Sequence, residues 1–163
     1  MYLFACHEVR NVTQKPSKPL GSEDISAVEF VKEMLKGDPT YGINFDRIQW
    51  DFEKKQYVIV EFLLCDEKQF PRGITPYTSH PNRYFDQNAQ KFISLWRMAQ
   101  DLNARLYLVN YSKKGTQFED QVLAMTVKNV NEKEDPPVVT EDTKLKRSEF
   151  SDWFRDLNRK GSR

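Results

Sequence analysis

The chain has 163 residues, 39% hydrophobic, 13% aromatic and 30% charged, with a formal net charge of +1. That length can bury one core of useful size. The near-neutral balance argues against a whole surface dedicated to nucleic acid, and it leaves room for a local basic groove.

No apolar run approaches the roughly 18 residues of a membrane span. The opening "MYLFACHEVRN" has no basic flank before its short apolar piece, so no membrane association and no secretory signal are expected, and the expected location is cytoplasmic. Cys6 and Cys65 form no CxxC pair and read as reduced thiols. His7 and His80 are too few for a His-rich zinc site.

Residues 1–21 run from the short apolar piece into "TQKPSKPLG", a loop punctuated by Pro and Gly. "SEDISAVEFVKEMLKGD" reads as a helix: Ile25, Val28, Val31 and Leu35 keep helical spacing, and Phe30 and Met34 widen the stripe. Ser22 or Asp24 would cap its start and Gly37 its end. "INFDRIQWD" and "YVIVEFLLC" then read as a β-hairpin turning through "FEKKQ". In the first strand Ile43, Phe45, Arg47 and Gln49 would share one face, with Asn44, Asp46, Ile48 and Trp50 on the other. The second is almost continuously apolar, as expected of a central strand covered on both faces.

Residues 66–87 contain three prolines and read as a long loop, a length usually kept for function or left disordered. "NAQKFISLWRMAQDLNA" is the clearest helix, burying Phe92, Leu95, Trp96, Ala99 and Leu102. "RLYLVNYS" and "QVLAMTVKNV" read as strands, residues 131–147 as a polar linker, and residues 148–160 as an amphipathic helix capped by Ser148 and closed by Gly161. Trp153, Phe154 and Leu157 would face a core or a partner. The element order predicts one α/β domain over 1–163 with its core at about 22–130: a central mixed β-sheet flanked by helices.

Two acids interrupt the apolar hairpin. Pairing across "FEKKQ" sets Asp46 opposite Glu61, and opposed residues of an antiparallel pair have Cβ atoms about 4.5–5.5 Å apart. Carboxylates that close repel unless they are solvated, share a proton or are bridged by a cation. Magnesium suits such oxygen ligands, and a bound ion can activate water against a phosphate. The same acids also fit the solvated face of a two-stranded ribbon.

A helix bearing Glu29, a strand with Asp46, a hairpin, an apolar strand carrying Glu61, then a helix and a strand: over about residues 25–112 this order resembles the PD-(D/E)XK nuclease-like superfamily. The resemblance implies a restriction-endonuclease-like core, magnesium as cofactor, nucleic acid as partner and phosphodiester hydrolysis as the reaction. On it, Asp46 and Glu61 would hold metal, with the Phe62 carbonyl and Glu29 as further ligands. The family's lysine two residues past the glutamate is Leu63 here. Lys68 is one substitute, and Lys91, reaching in from the second helix as in some members, is another; Gln90 beside it matches the polar residue other members carry there. Lys91 also fits a surface lysine whose stem covers an aromatic face.

In the long loop, Arg72 and Arg83 could grip phosphate with their planar forks, His80 could serve the same surface, and Tyr77, Tyr84 and Phe85 could stack on unpaired bases or pin the loop to the core. The stretch Lys144–Arg163 concentrates positive charge and reads as a solubilising tail or a nucleic-acid contact. There is no P-loop, dinucleotide fingerprint, G-x-S-x-G or cysteine metal cluster. Two functions remain in view: a magnesium-dependent nuclease using Asp46, Glu61 and Lys91, or a catalytically inactive interaction module of the same fold or subunit of a nucleic-acid-processing or defence assembly; either could act as a homodimer or with a protein partner.

Overall fold

The computed structural model describes residues 26–162. Expectations for Cys6, His7, the loop before residue 22 and the caps Ser22 and Asp24 lie outside the described residues. Contacts divide the chain into Met1–Thr40 with Ser162–Arg163, and Tyr41–Gly161. In the first unit, α1 spans Ser26–Leu35, and its apolar residues Val28, Phe30, Val31 and Met34 are exposed. The helix stops as Lys36 (φ 50°) and Gly37 (φ 95°) turn left-handed, a conformation glycine adopts without a Cβ penalty.

The second unit is α/β, a five-stranded mixed sheet in the order β1-β2-β3-β4-β5 flanked by helices. Strand β1 (Arg47–Asp51) and β2 (Gln56–Leu64) pair antiparallel, with Arg47 opposite Val60 and Asp51 opposite Gln56. Asp51 Oδ1 accepts the N–H groups of Glu53 and Lys54 at 2.9 Å each, which fixes the turn between the strands. Helix α2 (Phe85–Asp101) carries the chain over to β3 (Arg105–Tyr111), parallel to β2, as a crossover must. Strands β4 (Gln121–Val130) and β5 (Val138–Lys146) follow antiparallel, and α3 (Arg147–Arg159) closes the unit.

Alternation along β2 splits the core in two. Ile59, with Leu63 at its edge, joins Phe92, Leu95 and Ala99 of α2 on one face. Val58 and Val60, with Phe62, join Phe150, Trp153, Phe154 and Leu157 of α3 on the other. Covering both faces explains why β2 reads as a continuous apolar run. Each fully buried side chain of this size stabilises by about 1.5–3 kcal/mol.

The structure departs from the sequence reading at four places. Residues 131–147 are not a linker: β5 fills most of them, pairing with β4 from Val138 opposite Val130 to Lys146 opposite Gln121. As an edge strand, β5 is largely exposed, so its "TEDTK" looks like loop. Helix α3 starts at Arg147, not Ser148, and Glu149 Oε2 accepts the Lys146 N–H at 2.7 Å, the reach-back half of a capping box. Helix α2 begins at Phe85, one turn before a break in helical geometry at Asn88 (φ −131°), and Leu102, past its last turn, is 41% exposed. Ile43 packs against the α2-side cluster rather than sharing a face with Arg47 and Gln49, because the strand starts only at Arg47 and its alternation does not extend back that far.

Candidate functional site

The β1–β2 register continues one step past Arg47 opposite Val60, so Asp46 stands beside Glu61 at the open end of the hairpin. The Asp46 N–H donates to Glu61 Oε2 at 3.2 Å, and the Phe62 N–H donates to Asp46 Oδ2 at 2.7 Å. Each acid therefore accepts from the backbone at or next to the other. In an extended strand the N–H and C=O of one residue leave toward the same edge, so the Phe62 carbonyl faces the side on which Asp46 sits.

Glu61 shares the α2 face of β2 with Ile59 and Leu63, and it is only 2% exposed. Its Oε1 is paired with Lys91 Nζ, from the middle of α2. Burial pushes the Glu61 carboxyl above the usual range, the Lys91 hydrogen bond pulls it back, and the charge of Asp46 adds to the rise. Net, the proton is held more tightly than in water. Asp46 is exposed. Three of the residues singled out from the sequence thus meet at Glu61: Asp46, Glu61 and Lys91, with the Phe62 N–H on Asp46.

The other candidates are placed differently. Glu29 lies on α1, in the other unit, and pairs with Lys32 at 3.2 Å. Gln90 Nε2 donates to Ser94 Oγ at 3.1 Å on the exposed side of α2. Arg72 and Arg83 are exposed at the ends of two short 3-10 turns, Glu67–Arg72 and Pro81–Arg83. His80 has both ring nitrogens engaged: Nδ1 accepts the Asn82 N–H at 3.2 Å, and Nε2 therefore carries the proton and donates to Thr140 Oγ1 at 2.9 Å. Lys68 sits in the first 3-10 turn, beyond the end of β2.

Those contacts explain the long loop. Asn82 donates to the Val138 carbonyl and accepts the Val138 N–H, both at 2.9 Å, so a side chain stands in for a sixth strand at the outer edge of β5. Tyr77 OH donates to Leu145 O at 2.9 Å, and buried Asn110 Nδ2 donates to the carbonyls of Pro76, at 3.2 Å, and Ser79. Cys65 is a free, buried thiol pushed up by burial, although a hydrogen bond from Ser79 and the charge of Arg83 oppose the shift, so it is a poor nucleophile.

One step past Glu61 on the α2 face of β2, at Leu63, begins a cleft of about 340 Å³, between the C-terminal end of β2 and the first turn of α2. Leu63, Leu64, Gln69, Tyr84, Gln87 and Asn88 line it. Sequence reading passed over its amides. Spacing does not reveal them, because the break at Asn88 takes Gln87 off the helix face of Lys91.

The chain matches no family model, no curated protein and no solved structure. Among the described residues, no three His, Cys, Asp or Glu side chains come together as a metal-holding group, and no helix is long and apolar enough to cross a membrane. A cation here would have to rely on two carboxylates, a backbone carbonyl and water.

Proposed function

We propose that the protein is a divalent-cation-dependent nuclease with a restriction-endonuclease-like core, hydrolysing phosphodiester bonds at Asp46, Glu61 and Lys91. One observation carries the reading: a buried glutamate on a central strand, flanked by Asp46 across the hairpin, with Lys91 delivered to it from the following helix. A sequence that needed only a core would place an apolar residue at 61. Retaining a buried carboxylate there costs several kcal/mol of desolvation before any compensation.

The donor set fits magnesium, which takes hard oxygen ligands and keeps several waters. Asp46 and Glu61 would hold the ion with the Phe62 carbonyl, and the ion when bound supplies charge stabilisation at the phosphate and lowers the pKa of water. Lys91 partly offsets the burial that raises the Glu61 pKa, and it would bring its ammonium to an attacking water and a phosphate oxygen. That role offsets the loss of the family's usual lysine at Leu63. Arg72 and Arg83, both exposed, are available for backbone phosphates.

The test is cleavage of labelled single-stranded and duplex DNA and RNA with magnesium or manganese. Wild type should cut, with Asp46→Ala, Glu61→Ala and Lys91→Ala each reducing the rate about 10²-fold or more. A second reading, a non-cutting module of the same fold, is favoured by Leu63 and by the fact that both Glu61 oxygens already have partners. Nucleic-acid binding without cleavage in either metal would select it.

A further inference from the structure

The cleft that begins at Leu63, past Glu61 on β2, has a chemistry of its own. At about 340 Å³ it is at the small end of ligand pockets, enough for one compact planar group and far too small for a stretch of duplex. Among the described residues, no Lys, Arg, Asp or Glu lines it. Its polar side chains are Gln69, Gln87, Asn88, Ser79 and Tyr84, whose burial pushes its hydroxyl up to about 12 and so keeps it a neutral donor and acceptor. Leu63 and Leu64 supply apolar wall.

A cleft rimmed by neutral amides favours a compact neutral ligand with paired donors and acceptors on its edge. Nucleobases are such ligands, and a Gln or Asn carboxamide presents the matching donor–acceptor pair. The position fits as well. Leu63, which lines the cleft, is the next residue after Glu61 on the same face of β2. A strand whose phosphate reaches Lys91 would therefore bring an adjacent base to the cleft. The walls are held in advance, since Asn82, Tyr77 and Asn110 fasten the loop that contributes Ser79 and Tyr84. Preorganisation lowers the cost of binding.

We infer that this cleft receives one unpaired base, so that the strand acted on at Glu61 and Lys91 is single-stranded or locally unpaired. The inference rests on the proposed nuclease reading for where the strand runs, and its test separates the two. The probe is a short single-stranded oligonucleotide with one 2-aminopurine, and the same oligonucleotide annealed to its complement, titrated by fluorescence in EDTA so that no cleavage occurs. The single strand should bind at least about tenfold more tightly than the duplex. Gln87→Leu and Gln69→Leu, both at the cleft surface and checked for unchanged thermal unfolding, should each weaken binding about tenfold, the value of one good amide–base contact. Equal affinity for duplex, or two variants that bind like wild type, overturns the inference even where magnesium-dependent cleavage is found. Single-strand binding that both variants weaken, with no cleavage in magnesium, supports the cleft and overturns the nuclease reading instead.

Discussion

Lys91 Nζ meets Glu61 Oε1 and ties the middle of α2 to the one acid buried in β2. The two ends of this pair differ: the Glu61 side chain is 2% exposed, that of Lys91 35%. The glutamate therefore bears most of the desolvation, and the lysine is what makes a charge there tolerable. Lys91→Met should destabilise the protein by about 1–3 kcal/mol, less than for a fully buried pair because water reaches the lysine. Glu61→Gln combined with Lys91→Met should cost less than the sum of the singles. Urea unfolding of the four proteins measures the coupling. A Lys91→Met protein as stable as wild type would mean that Glu61 finds its compensation elsewhere.

His80 makes stability depend on pH. Burial holds its pKa below the usual 6.5, partly opposed by Asp142, which accepts from Thr140 Oγ1 at 2.6 Å. The folded state thus favours the neutral ring, whose Nδ1 accepts the Asn82 N–H. A depressed histidine pKa contributes stability that is fully present above 6.5 and is lost as the pH falls from there through the lowered value. Between about pH 6.5 and 5 wild type should lose more thermal stability than His80→Asn, which keeps a capping acceptor and does not titrate. Melting temperatures across that window for both proteins decide it; parallel curves would remove His80 as the cause.

Asn82 is the strap on the outer edge of β5. Its truncation to Ala leaves the Val138 N–H and C=O without their partner, at about 1–3 kcal/mol for such a loss. It also uncovers a strand edge able to pair with another chain. Hydrogen exchange should show faster exchange at Val138 and through residues 66–84, and light scattering should show more association than in wild type. Unchanged exchange at Val138 would mean that other contacts hold this edge.

The parts of the fold legible in the sequence are those where burial wrote a period. Strand β4 was bounded at Gln121 and Val130 because its residues are almost all covered, and α3 because Trp153, Phe154 and Leu157 keep helical spacing onto the sheet. Strand β5 escaped for the opposite reason: exposure leaves polar side chains free, and only its backbone pairing with β4 makes it a strand. The nearness of Asp46 to Glu61 could be read by counting across the turn, since hairpin register is arithmetic. That Lys91 reaches Glu61 depends on how α2 lies across the sheet, which no local pattern encodes. The cleft depends on the anchored loop, whose Asn82, His80 and Tyr77 find their partners more than fifty residues away.

Cation binding separates the two roles assigned around Glu61. Isothermal calorimetry with magnesium or manganese should show binding to wild type that is lost in Asp46→Ala and in Glu61→Ala, because each removes a hard oxygen donor. Lys91→Met should behave differently. Its ammonium competes with any cation for the Glu61 carboxylate, so removing it should leave cation affinity equal or tighter while cleavage falls about 10²-fold or more. If Lys91→Met instead abolishes cation binding along with cleavage, its contribution is to hold Glu61 in position, not to act at the phosphate. Millimolar manganese that produces no heat with wild type, with or without an oligonucleotide present, would overturn the metal site itself and leave Glu61 and Lys91 as a structural tie between β2 and α2.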